Sequence, residues 1–173
     1  MASKVVFAVL FHESDGLGVG DSGGDELFFL PYDGEVTDWP KELVLKDGEF
    51  PDYLASDLGC RTCSEKMRAV LDERAGPADV LQWLPVVVAS GTVQRPYYIL
   101  HFPKPPDVLD RARTLWSGDF VVRPAFRRAA LGDHSVFAYP GAEGIPLFVD
   151  KDCRYALERA GCTGLEFSQA RVV

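Results

Sequence analysis

The stretch Leu147-Phe-Val-Asp-Lys-Asp-Cys-Arg-Tyr-Ala-Leu-Glu-Arg-Ala-Gly-Cys-Thr-Gly-Leu-Glu-Phe167 decides the class of fold. Leu147 to Val149 reads as a short apolar strand. Asp150 or Asp152 can cap a helix behind it, because a carboxylate there accepts the unpaired first N–H groups and suits the positive end of the helix dipole. Cys153, Ala156, Leu157 and Ala160 recur at the spacing of one helix face. Gly161 stands where a left-handed C-cap residue belongs, and Leu165 and Phe167 alternate as a returning strand. This strand–helix–strand unit holds no nucleophile, acid–base pair or metal cluster. It is built to dock.

The same grammar extends backwards along the chain. Val5 to Phe11 reads as a buried first strand, His12 to Gly24 as a Gly/Asp/Ser loop, and Leu27 to Leu30 as a short strand stopped by Pro31. Tyr32 to Asp57 reads as an extended, loop-rich connection. Thr62 and Glu65 have capping-box spacing, and Met67, Val70 and Leu71 behind them give a helix face that ends at Gly76-Pro77. Pro85 lies inside the apolar run Val80–Ala89 and, lacking an N–H, predicts an edge position or a bulge. Tyr97–Phe102, Phe120–Val122, Ser135–Tyr139 and Ile145–Val149 read as strands, and Asp107–Trp116 as either a short helix or irregular chain. The expectation is an α+β fold. It is a single domain, 1–173, with a mostly antiparallel sheet of short strands and two main helices, about 63–75 and 151–160. Within it, residues 1–57 form an acidic, loop-rich N-terminal part.

A chain of 173 residues with 47% hydrophobic and 25% charged residues can bury a sizeable core. Its net charge of -8 argues against nucleic acid as a partner, since a phosphate backbone demands a basic surface. No apolar run is long enough for a membrane-spanning helix, and Val5–Phe11 lacks a following small-residue cleavage site. These features lead us to expect a cytoplasmic protein with no membrane partner, its four cysteines reduced thiols. The charge is segregated: residues 1–50 hold eleven Asp or Glu against three Lys, whereas residues 51–173 hold fifteen of each sign. Asp15, Asp21, Asp25, Glu26, Asp33, Glu35 and Asp38 are interleaved with glycines and with Phe28, Tyr32 and Trp39. The segment is either a solvated loop kept soluble by its charge or an acidic surface that steers a basic partner.

Motifs for chemistry are few. Gly18-Val-Gly-Asp-Ser-Gly23 matches GxGxxG, but no helix follows it and its carboxylates would repel phosphate. The aspartate spacing is not that of an EF-hand. Cys60-Arg-Thr-Cys63 is a lone CxxC at a helix start. It supports a thiol-redox or zinc role for Cys60 and Cys63 as the alternative to a binding function. Adjacent residues of Asp133-His-Ser135 on a strand would point to opposite faces and cannot form a relay. His12 and His101 each end an expected strand, and Asp107 and Asp110 can cap a helix. No catalytic set emerges, and no cofactor is implied.

The order of segments does resemble a known group. Gly59 with Ser64-Glu-Lys-Met-Arg68 precedes Trp83-Leu-Pro-Val-Val-Val88, then Tyr97-Tyr-Ile-Leu-His-Phe102, Asp107-Val-Leu-Asp110, Leu147-Phe-Val149 and Ala160-Gly-Cys-Thr-Gly-Leu-Glu-Phe167. Over about residues 58–168 this is similar to the immunity-protein family of bacterial polymorphic toxin systems, the group typified by a myxobacterial immunity protein. The resemblance implies an α+β protein without catalysis that binds and neutralises a toxin encoded by a neighbouring gene. It transfers no catalytic residues and gives the CxxC no role. Combined with the acidic segment, it leads us to expect a toxin with a basic surface, met by Asp15, Asp21, Asp25, Glu26, Asp33, Glu35, Asp38 and Trp39.

Overall fold

The computed structural model describes residues 4–14, 16–24, 28–142 and 145–173. Asp15, Asp25, Glu26 and Leu27 lie outside the described residues. Along the chain run β1 (Val6–Phe11), β2 (Val19–Asp21), β3 (Glu42–Lys46), β4 (Tyr53–Leu54), β5 (Arg61–Ser64), α1 (Glu65–Arg74), β6 (Gln82–Ser90) and β7 (Val93–His101). There follow β8 (Leu115–Ser117), β9 (Phe120–Arg123), β10 (Ala125–Phe126), α2 (Arg128–Leu131) and β11 (Val136–Phe137). β12 (Phe148–Asp150), α3 (Lys151–Arg159), β13 (Leu165–Gln169) and β14 (Arg171–Val172) complete the set.

Two sheets dominate. The first has the order β11-β12-β1-β13 and is antiparallel throughout. The second has the order β2-β3-β6-β7-β5-β4 and is mixed, because β3 runs parallel to β6. β10 and β14 form a further parallel pair, and β8 and β9 a separate hairpin. The fold is therefore α+β with more strand than helix, as expected, but among the described residues the strands are shared among four sheets rather than one, and β3–β6 and β10–β14 pair in parallel.

Period-two alternation along β1 places Phe7 and Val9 in a core shared by both large sheets and both long helices. Met67 and Leu71 of α1 meet Cys153 and Leu157 of α3 there, and all four are fully buried. Each such side chain contributes about 1.5–3 kcal/mol by leaving water. Val6 points the other way, into an aromatic cluster where Phe126 packs edge-on to Phe137 and Phe148. The outer face of the six-stranded sheet carries a third cluster, from Leu43 to Ile99.

The C-terminal unit forms as its sequence dictates. The Asp150 carboxylate accepts the Cys153 N–H at 2.9 Å and caps α3. Gly161, at φ 68, ends it: its N–H donates to the Glu158 carbonyl and the Cys162 N–H to that of Leu157, a Schellman motif. At α1 the reading shifts. The cap is Ser64, whose Oγ accepts the Met67 N–H at 3.2 Å, while Thr62 lies in β5 with its buried hydroxyl unpartnered among the described residues. The helix starts at Glu65 because Thr62 and Cys63 are held by pairing to Ile99 and Tyr98 of β7.

Four other expectations are corrected. Phe28–Leu30 forms no strand, and the loop-rich region to Asp57 contains β3 and β4. α2 and β2 fall where no element was expected. Asp107–Thr114 takes the irregular one of the two expected forms, with Asp107 paired to Arg127 and Asp110 to Arg113. Pro85 lies in an inner strand of the sheet rather than an edge strand, yet at its own position only β7 pairs with it. The β3 pairing covers only Val87–Ala89, so beside Pro85 the neighbour is a side chain, Trp39, whose indole N–H donates to the Pro85 carbonyl at 2.8 Å. The missing N–H of proline is thereby harmless.

Two buried carboxylates join the sheets. Asp79, between α1 and β6, accepts the backbone N–H groups of Gly76, Ser135 and Val136 on one oxygen. Its other oxygen lies 2.8 Å from His134 Nδ1. Asp52, before β4, bonds Ser64 Oγ and the Thr163 N–H, and pairs with Lys66 at 3.0 Å. Gly164 lies tightly against this joint, since a Cβ there would sit 2.6 Å from the Tyr53 carbonyl oxygen. Among the described residues, no helix is long and apolar enough to cross a membrane.

Candidate functional site

Residues 28–39 cross the outer face of the six-stranded sheet as an extended strap. Leu30 and Val36 are buried beneath it, and Phe28 and Trp39 pack half-buried against the same cluster. Among the described residues no strand pairs with the strap, and its backbone is bonded mainly by side chains. The Gln82 amide bonds the Val36 N–H and carbonyl, both at 2.9 Å, as a neighbouring strand would. His101 Nε2 sits 2.7 Å from the Gly34 carbonyl, and the Gly34 N–H donates to Pro103 O. Gly34 takes φ 77 at this bend, a conformation that favours glycine.

His101 is almost wholly buried. Burial lowers its pKa below the ordinary value and the nearby Arg61 charge adds to this, while the bond to Gly34 opposes it. A neutral imidazole with its proton on Nε2 therefore donates to Gly34. Because the folded pKa is depressed, the contribution is complete above the unfolded value of about 6.5 and is lost as pH falls through the folded pKa. The denaturation midpoint should fall on acidification below about pH 6.5. His101→Gln should remove that step. An unchanged acid profile in this variant would show that His101 is not its source.

Outward, the strap presents Phe29, 75% exposed, and Tyr32, 56% exposed. Between them and Leu58-Gly59-Cys60 lies a shallow groove of about 530 Å³, closed at one end by Ile145. Asp33, Glu35 and Asp38 are exposed on the same strap, and among the described residues none of them forms an ion pair. The strap thus brings together three of the carboxylates marked in the sequence. Asp21 lies apart, in β2, where it accepts the Gly23 N–H and lies 4.0 Å from Lys46. Trp39 is pinned by its bond to Pro85, with Lys41 Nζ over its ring at 3.1 Å. It fastens the strap, and Phe29 and Tyr32 are the aromatics that project from it. The Gly-rich motif at Gly18 serves packing: a Cβ there would sit 2.7 Å from the Lys46 carbonyl oxygen.

The two CxxC thiols face opposite sides of the sheet. Cys60 belongs to the cluster under the strap and Cys63 to the central core. Desolvation pushes Cys60 up to about 11 and Cys63 higher still, with Arg61 opposing in both. Burial thus favours the thiol over the reactive thiolate. Between them Arg61 is fully buried, donating to the Pro146 and Leu100 carbonyls and lying 4.9 Å from the Phe102 ring. Its guanidinium is lowered to about 10 by desolvation. Among the described residues, no three His, Cys, Asp or Glu side chains converge as a metal site. The His134–Asp79 pair resembles two thirds of a triad, but Asp79 is saturated by backbone donors and no hydroxyl bonds the other imidazole nitrogen among the described residues.

Sequence reading missed Gln82, Phe29 and Ile145, and marked His101 only as the end of a strand. A glutamine opening an apolar strand gives no sign that it will pair a distant backbone. No protein-family model matches the chain, and no curated protein matches it.

Proposed function

We propose that this chain is a cytoplasmic immunity-type protein that binds a bacterial toxin and neutralises it by contact, without chemistry of its own. The observation that carries the reading is the strap. Asp33, Glu35 and Asp38, in no ion pair among the described residues, follow exposed Phe29 and Tyr32 along a backbone held by Gln82, His101 and Trp39. Preorganised aromatic anchors with a charged surround are what tight protein recognition uses. The acidic charges would meet a basic face of the toxin and speed the encounter. The order of segments over about residues 58–168 supports the same reading.

Co-expression with the neighbouring open reading frame tests it. Growth rescue and co-purification are the expected results. Asp33→Asn/Glu35→Asn/Asp38→Asn should then slow association by about tenfold or more at low salt and flatten its salt dependence. A toxic neighbour left unrelieved would overturn the reading, and unchanged association kinetics would remove the strap's carboxylates from it.

A further inference from the structure

A second groove of about 830 Å³ opens on the outer face of the four-stranded sheet. Ala8, Leu10 and Phe148 form its floor, and Val121 to Pro124 of the β8–β9 hairpin and its exit form one wall. Ile145 lines this groove and the strap groove alike, so it is the ridge between them. Leu10, Val122 and Ile145 are all exposed large aliphatic side chains. In a chain of net charge -8, no acidic residue lines this groove among the described residues. It carries instead Arg123 and Arg171, both exposed and neither in an ion pair among the described residues. Arg113 joins the same two arginines in an adjoining pocket.

Ile145 thus separates two grooves of different charge: the strap that lines one carries Asp33 and Glu35 directly after Tyr32, and the other carries Arg123 and Arg171. A half-turn about an axis near Ile145 would set the acidic strap of one copy against the arginine-lined groove of the other, twice over. A two-fold interface is of this kind, with each contact repeated by symmetry. We propose that two copies of this chain pair through this surface. Tyr32 and Phe29 are the apolar anchors and the Asp33/Glu35–Arg123/Arg171 contacts fix the register. At physiological salt the Debye length is about 8 Å, so the net repulsion of two acidic chains is screened while contacts within the interface persist. If the strap also receives the toxin, which rests on the reading above, pairing and neutralisation compete for one surface.

Charge exchange tests the pairing on the pure protein by sedimentation velocity at about 0.15 M salt. The unsubstituted chain should sediment as a dimer at tens of micromolar. Asp33→Arg/Glu35→Arg reverses the charge on the strap side, and Arg123→Glu/Arg171→Glu reverses it on the groove side; each alone should be monomeric at the same concentration. Their equimolar mixture should recover the dimer, because opposite surfaces now meet. All four residues are exposed, and circular dichroism would verify that each variant folds. A monomeric unsubstituted chain, dimeric single variants, or a mixture that stays monomeric would each overturn the proposal. No toxin enters the experiment, so its failure is distinguishable from failure of the immunity reading.

Discussion

Asp79→Ala is expected to destabilise the protein by about 3–5 kcal/mol, the range for removing one member of a buried charged network. The Asp79 side chain is fully buried, so water cannot replace it at no cost. The substitution would strand three backbone N–H groups, those of Gly76, Ser135 and Val136, and leave His134 Nδ1 without its acceptor. Gly76 packs closely against the Asp133 segment, where an added Cβ would sit 1.7 Å from the Asp133 carbonyl oxygen. Since the loop leads into β6 and Ser135–Val136 into the four-stranded sheet, loosening it also loosens the relation between the two grooves. Urea denaturation measures the effect. A loss below about 1 kcal/mol would mean that the donors find substitutes and that the joint is not rigid.

The C-terminal unit was legible because its signals are local. A cap, a helix face and a left-handed glycine each act within a few residues, and Asp150, Leu157 and Gly161 take the roles their spacing predicts. β1 was legible for a similar reason: a run of apolar residues implies packing on both faces, and Phe7 and Val9 meet the central core while Val6 meets the aromatic cluster, although Leu10 stays exposed. Failures concentrate where pairing is distant. β3 and β4 are short, and they are strands because β6 and β5 lie beside them, which no local pattern in Glu42–Leu54 announces. Pro85 was read correctly only at its own position: β6 lies inside the sheet, but β3 stops short of Pro85. The rule against proline in a central strand concerns a missing donor, and here the adjacent position requires only an acceptor for Trp39.

The candidate surface was half legible. The segregation of charge pointed to the N-terminal fifty residues, and Asp33, Glu35 and Asp38 do emerge together on one exposed strap. Trp39 looked like an anchor because tryptophan so often is one, yet its N–H is taken by a backbone carbonyl forty-six residues away. Phe29 carried no distinguishing mark in an apolar run of four. Only the fold shows that Leu30 turns inward and Phe29 outward. Arg123 and Arg171 were invisible as a pair, since the parallel pairing of β10 with β14 is what brings their segments together.

Asp52→Ala should cost about 2–4 kcal/mol, from loss of a hydrogen-bonded, largely buried carboxylate. Only 12% of the Asp52 side chain is exposed. Burial by itself would raise its pKa, but hydrogen bonds from Ser64, Thr163 and Lys66, together with the Lys66 charge, hold it below the ordinary carboxylate value. Ser64 is the cap of α1, and Thr163 follows α3, so this one carboxylate fixes the start of one helix to the exit of the other. The depressed pKa sets the pH dependence. The stabilisation is complete above the unfolded value of about 4 and disappears as pH falls through the folded pKa. Asp52→Asn keeps the shape and an acceptor but loses the charge, so it should be destabilised at neutral pH and match the parent once the parent's carboxyl is protonated. Convergence of the two denaturation midpoints in acid is therefore the decisive observation. A constant gap at every pH would assign the effect to geometry alone, and the charge of Asp52 would drop out of the account of what holds the helices together.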